Sequence, residues 1–432
     1  MEYKSLKKIY YSEFDNYENE YQQRVSGYGT IKTSMFPYLM KKELFSSSEY
    51  PLFTLPLLDI QFLSQRIIEQ SITITRLADK LPEIAHQQFY NEQLFNAIIS
   101  TNEIEGIGTT RKDVAIAIEA LNKDKKGALK HKSTVRMYLD ILSDKYLHIT
   151  ELGHIREIYD ELTSGEIEEE NQLDGELFRK DSVSIVNNKT GKIEHIAPQS
   201  ETKIKEMLQN WIVFINSSNI PFLIKASLAH YFFENIHPFY DGNGRTGRYI
   251  LSKYLSRKLD KFSGLIISKK INEDKTKYYK AFSETGDILN RADGTVFVHA
   301  MLTFIIKGQA EIIDTLSKKQ EMLVYYQEKI QKESFSDLEK TVIFLLIQSQ
   351  LFVSDFEASI SDNEILEFLS HTEYSQRGIK KALKELEGKG LITRVSKRPV
   401  KHSLIDEYLD YGLSNDKEKE TISNDEKDLA SL

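Results

Sequence analysis

The sequence predicts a mainly α protein with one internal β-hairpin and a C-terminal module of short helices and paired strands. Three observations carry that prediction. Apolar residues recur at three-and-four spacing through most of the 432 residues. Strict alternation of apolar and polar residues stands out over 182–196. From Ser336 the segments shorten, and two strand-like runs flank Pro399.

The elements follow in order. LLDIQFLSQRIIEQSITITRLADKL (57–81) and HQQFYNEQLFNAIISTNEIEG (86–106) read as long helices. Thr110 with Asp113 has the capping-box pattern, ahead of a helix over 111–122. Thr150 is expected to cap ELGHIREIYDELTSG, which stops at Gly165. SVSIVNNKTGKIEHI (182–196) alternates Val183 and Ile185 with polar neighbours, turns through NNKTG, and alternates again at Ile193 and Ile196. A second helical block runs from Glu201 to about Lys258, broken at HPFYDGNGRTGR (237–248). TKYYKAFSETGDI and GTVFVHAMLTFIIKGQAEIIDTL continue as helix, with a connection to about Ser334. SDLEKTVIFLLIQS, NEILEFLSH and SQRGIKKALKELEGKG then make three short helices, and LITRVSKRPVKHSLI two strands. That set describes a winged helix-turn-helix.

Bulk properties narrow the function classes. The net charge of −8 argues against a chain built throughout for nucleic acid. Its distribution is uneven: Ser375–Lys401 holds nine Lys/Arg against two Glu, a net of +7. The absence of cysteine excludes disulfides and thiolate chemistry. MEYKSLKKIYYSEFD has no apolar h-region, and the run TVIFLLI (341–347) is too short to span a bilayer, so the reading is a cytoplasmic protein with no membrane partner.

The chemistry concentrates in HPFYDGNGRTGR. KASLAHYFFENI (225–236) is a good helix that Pro238 cannot continue, so His237 sits where helix gives way to loop. Gly242 and Gly244 around Asn243 permit positive φ and bring bare N–H groups toward one point. RTGRYILSKYLSRKL starts a new helix there, making an anion site of N–H donors and dipole. Arg245 and Arg248 project from one side of its first turn, and two guanidinium forks beside such a nest suit a polyphosphate. Asp241 is a hard oxygen ligand suited to Mg²⁺ on two phosphates, and His237 is within reach to take a proton from an incoming hydroxyl. A competing constellation, His230, Glu234 and His237 at i, i+4 and i+7, has a spacing that could present metal ligands. It leaves GNGRTGR unexplained, and His230 and Glu234 are expected instead to orient helix and loop.

HPFYDGNGRTGR resembles the signature of the Fic-domain family, HPFx[D/E]GNGRxxR, at every fixed position, and the likeness covers roughly 86–307. The resemblance implies a Fic-type helical core and AMP transfer from ATP to a Ser, Thr or Tyr hydroxyl of a protein. It implies His237 as general base, Asp241 as the Mg²⁺ ligand, and Gly242, Asn243 and Gly244 as the nest. Arg245 through Thr246 and Gly247 to Arg248 would lie along the phosphates, with the two arginines gripping the outer ones, and Phe239 would anchor the loop. The hairpin 182–196 resembles the flap that pairs with an extended target segment. Tyr278 and Tyr279 fall where the family often places an aromatic against the nucleoside; ordinary helix packing is the alternative. TNEIEG resembles the family's inhibitory pattern [S/T]xxxE[G/N], with Thr101, Glu105 and Gly106 at its fixed places, which implies that Glu105 occupies Arg248.

The organisation expected is an N-terminal helical region (1–85), a core (86–307) with the inhibitory helix at 86–106, a connecting helix (308–335), a winged helix (336–412) and a disordered tail (413–432). Expected partners are a target protein at the flap, DNA through 375–401 by way of Arg377, Lys380, Lys381 and Lys384, and a second copy of the chain. The second functional reading is a DNA-binding regulator that senses nucleotide without transferring it. Relatives within the fold also transfer other nucleotides, phosphate or phosphocholine, or remove AMP; the intact GNG disfavours phosphate transfer.

Overall fold

The computed structural model describes residues 3–41, 46–122, 131–141, 143, 147–186, 191–353 and 359–409. The NNKT part of the expected turn and the expected tail lie outside them. The chain divides into two compact units, residues 1–75 with 93–312 and residues 76–92 with 313–432.

The first unit opens with α1 (Leu6–Ser12) and α2 (Tyr17–Val25). Four two-residue strands follow: β1 (Ile31–Lys32), β2 (Leu39–Met40), β3 (Ser46–Ser47) and β4 (Phe53–Thr54), paired antiparallel as β1–β4 and β2–β3. The helical pattern expected over 1–85 did not include them, since a two-residue strand leaves no alternation to read. Then come α3 (Leu58–Ala78), α4 (Glu83–Ile104), α5 (Arg111–Asn122), α6 (Lys132–Ile141) and α7 (Leu152–Leu162). The α5 capping box is present: the Thr110 amide donates to Asp113 Oδ2 at 3.0 Å, and the Asp113 amide returns to Thr110 Oγ1 at 3.2 Å. At α7 the expected cap is displaced by one residue. Glu151 is the N-cap, without a side-chain bond, because His154 Nδ1 accepts the Thr150 amide at 3.3 Å.

The hairpin forms from β5 (Ser184–Val186) and β6 (Ile193–Ile196), antiparallel with Ile185 opposite His195. Next are α8 (Glu201–Asn216), α9 (Phe222–Ile236), α10 (Asn243–Lys258), α11 (Lys261–Glu273) and α12 (Lys275–Gly286). Helix α9 is the axis of this unit. Every residue from Leu223 to Ile236 is buried, as a helix enclosed on all sides requires. Leu228, Tyr231, Phe232 and Phe233 are among the most enclosed, and at roughly 1.5–3 kcal/mol for each large apolar side chain buried they fix where α9 ends. That end is His237.

Helix α13 (Thr295–Lys332) is continuous for 38 residues. It is long and apolar enough to cross a membrane by length and composition, yet 56 % of its most apolar stretch is buried inside the protein. The second unit continues with α14 (Asp337–Leu351), α15 (Asp362–Phe368) and α16 (Gln376–Gly388), then β7 (Ile392–Lys397) and β8 (Val400–Leu404) as an antiparallel pair. Capping boxes at Ser336/Glu339 and Ser361/Glu364 start α14 and α15, and Ser375 caps α16. Gln350 ties α14 to β8, accepting the Leu404 amide at 2.8 Å. Ile379, Ala382, Leu383 and Leu386 bury one face of α16, leaving Arg377, Lys380, Lys381 and Lys384 exposed on the other.

Candidate active site

The loop between α9 and α10 is held in a shape that few sequences tolerate. His237 terminates α9 in the left-handed region, φ 51° and ψ 62°, a conformation that costs a residue with a Cβ about 1–2 kcal/mol. Arg179 holds it there. Its guanidinium donates from Nε to the His237 carbonyl at 2.7 Å, from Nη2 to Ile236 at 3.2 Å and from Nη1 to Pro198 at 2.8 Å. This buried cation has carbonyls rather than a carboxylate around it, and burial pulls its pKa down to about 10. Asn243 closes the loop from the other side: Oδ1 accepts the Phe239 amide and Nδ2 donates to the Phe239 carbonyl, both at 2.8 Å. The Phe239 ring is fully buried, stacked on Tyr159 at 3.8 Å and tilted against Phe178.

Gly242 is the N-cap of α10 with φ 78°, which is why glycine stands there. The Thr246 hydroxyl donates back to its carbonyl at 2.8 Å, so Thr246 tightens the turn. Gly247 faces α9, where a Cβ would overlap the Glu234 carboxyl. Gly244 faces the cleft, and a Cβ there would overlap the Glu105 carboxylate. Glu105 thus lies directly over the start of α10, where orphan N–H groups and the dipole favour negative charge.

Both arginines of the motif are engaged. Arg248 donates from Nη2 to Glu105 Oε1 at 2.6 Å and to the Thr101 carbonyl at 3.1 Å, and from Nε to Thr101 Oγ1 at 3.0 Å. Gly106 explains why Glu105 can be so placed. With φ 77° it closes α4 in a Schellman motif, Gly106 N–H to Glu103 and Ile107 N–H to Asn102, leaving Glu105 at the helix end. Burial works to raise the Glu105 pKa, but Arg248, with Arg245 and His237, holds the carboxyl below its ordinary value. Arg245 pairs through Nη1 with Glu166 Oε2 at 2.5 Å, while its Nε and Nη2 are buried without a partner.

The cleft bounded by these groups measures about 180 Å³, below the roughly 300–1,000 Å³ of ordinary ligand pockets. Glu105, His237, Gly244, Arg248, Tyr278 and Tyr279 line it together. Burial pushes the His237 pKa down to about 4, helped by His195 and Arg179 and opposed by Glu105 and the Glu234 carbonyl. The ring is therefore neutral at pH 7 and able to accept a proton. Tyr278 is buried with its hydroxyl 2.9 Å from His230 Nε2, whereas Tyr279 is 45 % exposed at the cleft's edge. His230 is thereby committed to Tyr278, and its Nδ1 lies 4.0 Å from Glu234. Burial, opposed by Arg248 and aided by Glu105, raises the Glu234 carboxyl to about 8, so it is protonated at neutral pH. Asp241 accepts the Gly242 amide at 2.6 Å through Oδ1.

Two residues of this site have no signature in the sequence pattern: Arg179, which shapes the loop, and Glu166, which holds Arg245. Arg179 lies outside every motif that carries the resemblance, and the acidic run EIEEE does not distinguish Glu166 from its neighbours.

Residues 149–255 match the Fic/DOC family. Among relatives, a protein adenylyltransferase Fic from Drosophila virilis is 24 % identical over 208 residues, 47 % of this chain and 40 % of that protein. The Drosophila melanogaster protein of the same name is 31 % identical over 120 residues, 27 % of this chain and 22 % of its own length. The chain thus spans less than half of the length of these curated relatives. Among solved structures, a Fic family protein from Desulfovibrio desulfuricans G20 aligns over 79 % of this chain and 96 % of its own, at 19 % identity and a TM-score of 0.45. The matched residues hold His237–Arg248 and the helices on either side, so this part of the chain carries a Fic domain.

Proposed function

We propose that the chain is an autoinhibited protein adenylyltransferase. The observation that carries this reading is the single cleft in which a neutral His237, the N-terminus of α10 and Arg248 face one another, with Glu105 seated on Arg248. In the open state a nucleoside triphosphate would lay its phosphates along Gly242–Gly244, with Arg245 and Arg248 on the outer two. His237 takes the proton of a Ser, Thr or Tyr hydroxyl, the oxygen bonds to the α-phosphorus, and pyrophosphate leaves. Asp241, whose carboxylate stands at the start of α10 and accepts the Gly242 amide, would hold a Mg²⁺ beside the phosphates. Bound there, Mg²⁺ would neutralise phosphate charge. The target segment would pair along the hairpin β5–β6, where Ser184 and Val186 are exposed. With ATP as co-substrate and Mg²⁺ as cofactor, the setting we propose is the cytoplasm.

The Glu105 carboxylate takes the guanidinium that the γ-phosphate requires, which is the autoinhibition. The test is transfer from ATP labelled at the α- or the γ-phosphate, with wild type, Glu105→Gly and His237→Ala. Protein-bound α-label, strongest in Glu105→Gly and absent in His237→Ala, supports the reading. γ-Label makes the chain a phosphotransferase, and ATP binding without label from either position favours the regulator.

That second reading has its own observation, the exposed basic face of α16 in a three-helix, two-strand module of winged-helix pattern. DNA contact through Arg377, Lys380, Lys381 and Lys384 would fall steeply with salt. A labelled duplex titrated at two salt concentrations tests it.

A further inference from the structure

A second and larger cavity, about 780 Å³, lies behind the helices that flank His237–Arg248. Its size falls in the range of small-molecule sites. Trp211, Phe222, Phe233, Ile250 and Leu251 give it apolar and aromatic walls from α8, α9 and α10. Lys225, Lys253, Arg257, Lys258 and Lys261 also line it, and among the described residues no Asp or Glu does. In a chain of net charge −8 this local excess runs against the average.

The individual lysines differ. Lys253 is paired with Asp140 at 3.0 Å. Lys225 is 7 % exposed and its ammonium donates to the Ser217 carbonyl, a neutral acceptor, leaving two N–H groups. Lys258, exposed at the end of α10, lines the same cavity. Burial and the charge of Lys258 both lower the Lys225 pKa, which marks a cation short of counter-charge. A buried ammonium without an anion is costly, and an incoming anion would remove that cost.

We propose that this cavity binds a small organic anion with an apolar body, its acid group held by Lys225 and Lys258 and its body against Trp211 and Phe233. The site is separate from the cleft of Glu105 and does not depend on the transfer reaction.

Trp211 is the only tryptophan of the chain and is 1 % exposed in this wall, so its emission reports on this cavity. The full chain is titrated with decanoate and with decanol, which share an apolar body and differ in charge. Wild type, Lys225→Gln and Lys258→Gln are compared, with circular dichroism checking the fold. Decanoate should change Trp211 emission saturably, with decanol about tenfold weaker or worse. Each variant should weaken decanoate by about tenfold and leave decanol unchanged. Lys258 is exposed, so Lys258→Gln keeps the test intact should Lys225→Gln fail to fold. No saturable change with decanoate, equal responses to the two probes, or indifference of decanoate to Lys258→Gln would overturn the proposal.

Discussion

Arg245 and Glu166 meet at 2.5 Å, with the arginine 1 % exposed. Arg248 and Glu105 meet at 2.6 Å three residues further along α10. Both guanidinium groups of the motif are thus held by carboxylates from other segments. The two clamps are also connected. Glu166 Oε1 lies 3.5 Å from His131 Nδ1, and His131 Nε2 lies 3.2 Å from Thr109 Oγ1. Thr109 accepts from Asn102 at 2.9 Å, and Asn102 follows Thr101 on α4.

Glu166→Gln tests whether the second clamp restrains, as Glu105 is proposed to do. Glutamine keeps the volume and one acceptor but removes the charge, so Arg245 becomes available to an anion. ATP should bind about three- to tenfold tighter in calorimetric titration, since a charge-assisted contact is worth roughly 1–2 kcal/mol more than a neutral one. Stability should fall by about 1–3 kcal/mol, because His131 and Thr134 lose part of their partner. Weaker ATP binding would show that Glu166 orients Arg245 for phosphate rather than withholding it.

Thr101→Val separates the carboxylate from its support. Valine preserves shape while deleting the hydroxyl that accepts from Arg248 Nε at 3.0 Å. The Thr101 carbonyl and Glu105 remain, so release should be partial. Transfer of α-label should rise about two- to fivefold, well short of the rise in Glu105→Gly, on the basis of roughly 1 kcal/mol for the bond lost. A rise equal to that of Glu105→Gly would make the hydroxyl the principal latch.

Gly247→Ala sets helix propensity against packing. Alanine gains about 1 kcal/mol in a helix interior. Its methyl would overlap the Glu234 carboxyl and crowd Phe233, which ties α10 to α9. Overpacking typically costs about 1–3 kcal/mol, so the net change in urea unfolding should be destabilising. A stabilised variant would mean that Glu234 yields freely, and that the close approach of the helices is not set at this glycine.

How much of this was legible in the sequence depends on where each partner lies along the chain. His237, Gly242, Arg245 and Arg248 are contiguous, so spacing alone brings them together. Glu105 is remote, but it stands beside a helix-ending glycine, and that local pattern points to it. Glu166 and Arg179 have neither advantage: they reach their partners across 79 and 58 residues through the packing of α7 and the segment after it. Thr150 misled because the residue that decides the cap is His154, four positions on. Asn243 shows the same limit in reverse, since its side chain serves Phe239 while its backbone belongs to the nest.

The pH dependence of Glu105→Gly is the sharpest test of His237. A solvated histidine protonates near pH 6.5, about the ordinary value, and a base of that kind would lose half its activity there. Here burial, His195 and Arg179 hold the ring down to about 4. Lowering the pKa favours the neutral form, so the ring stays neutral until pH falls through that value. Glu105 is one of the groups that raise it, so its removal moves the acid limb no higher. The kcat/KM profile, which reports the free enzyme, should therefore be flat from about pH 8 to 5.5 and fall with a midpoint no higher than about 4. His195→Gln should shift that midpoint upward by removing a neighbour that disfavours charge on His237. A limb at 6.5 in Glu105→Gly would mean that the ring is exposed when it works, and that the left-handed turn held by Arg179 opens before proton transfer.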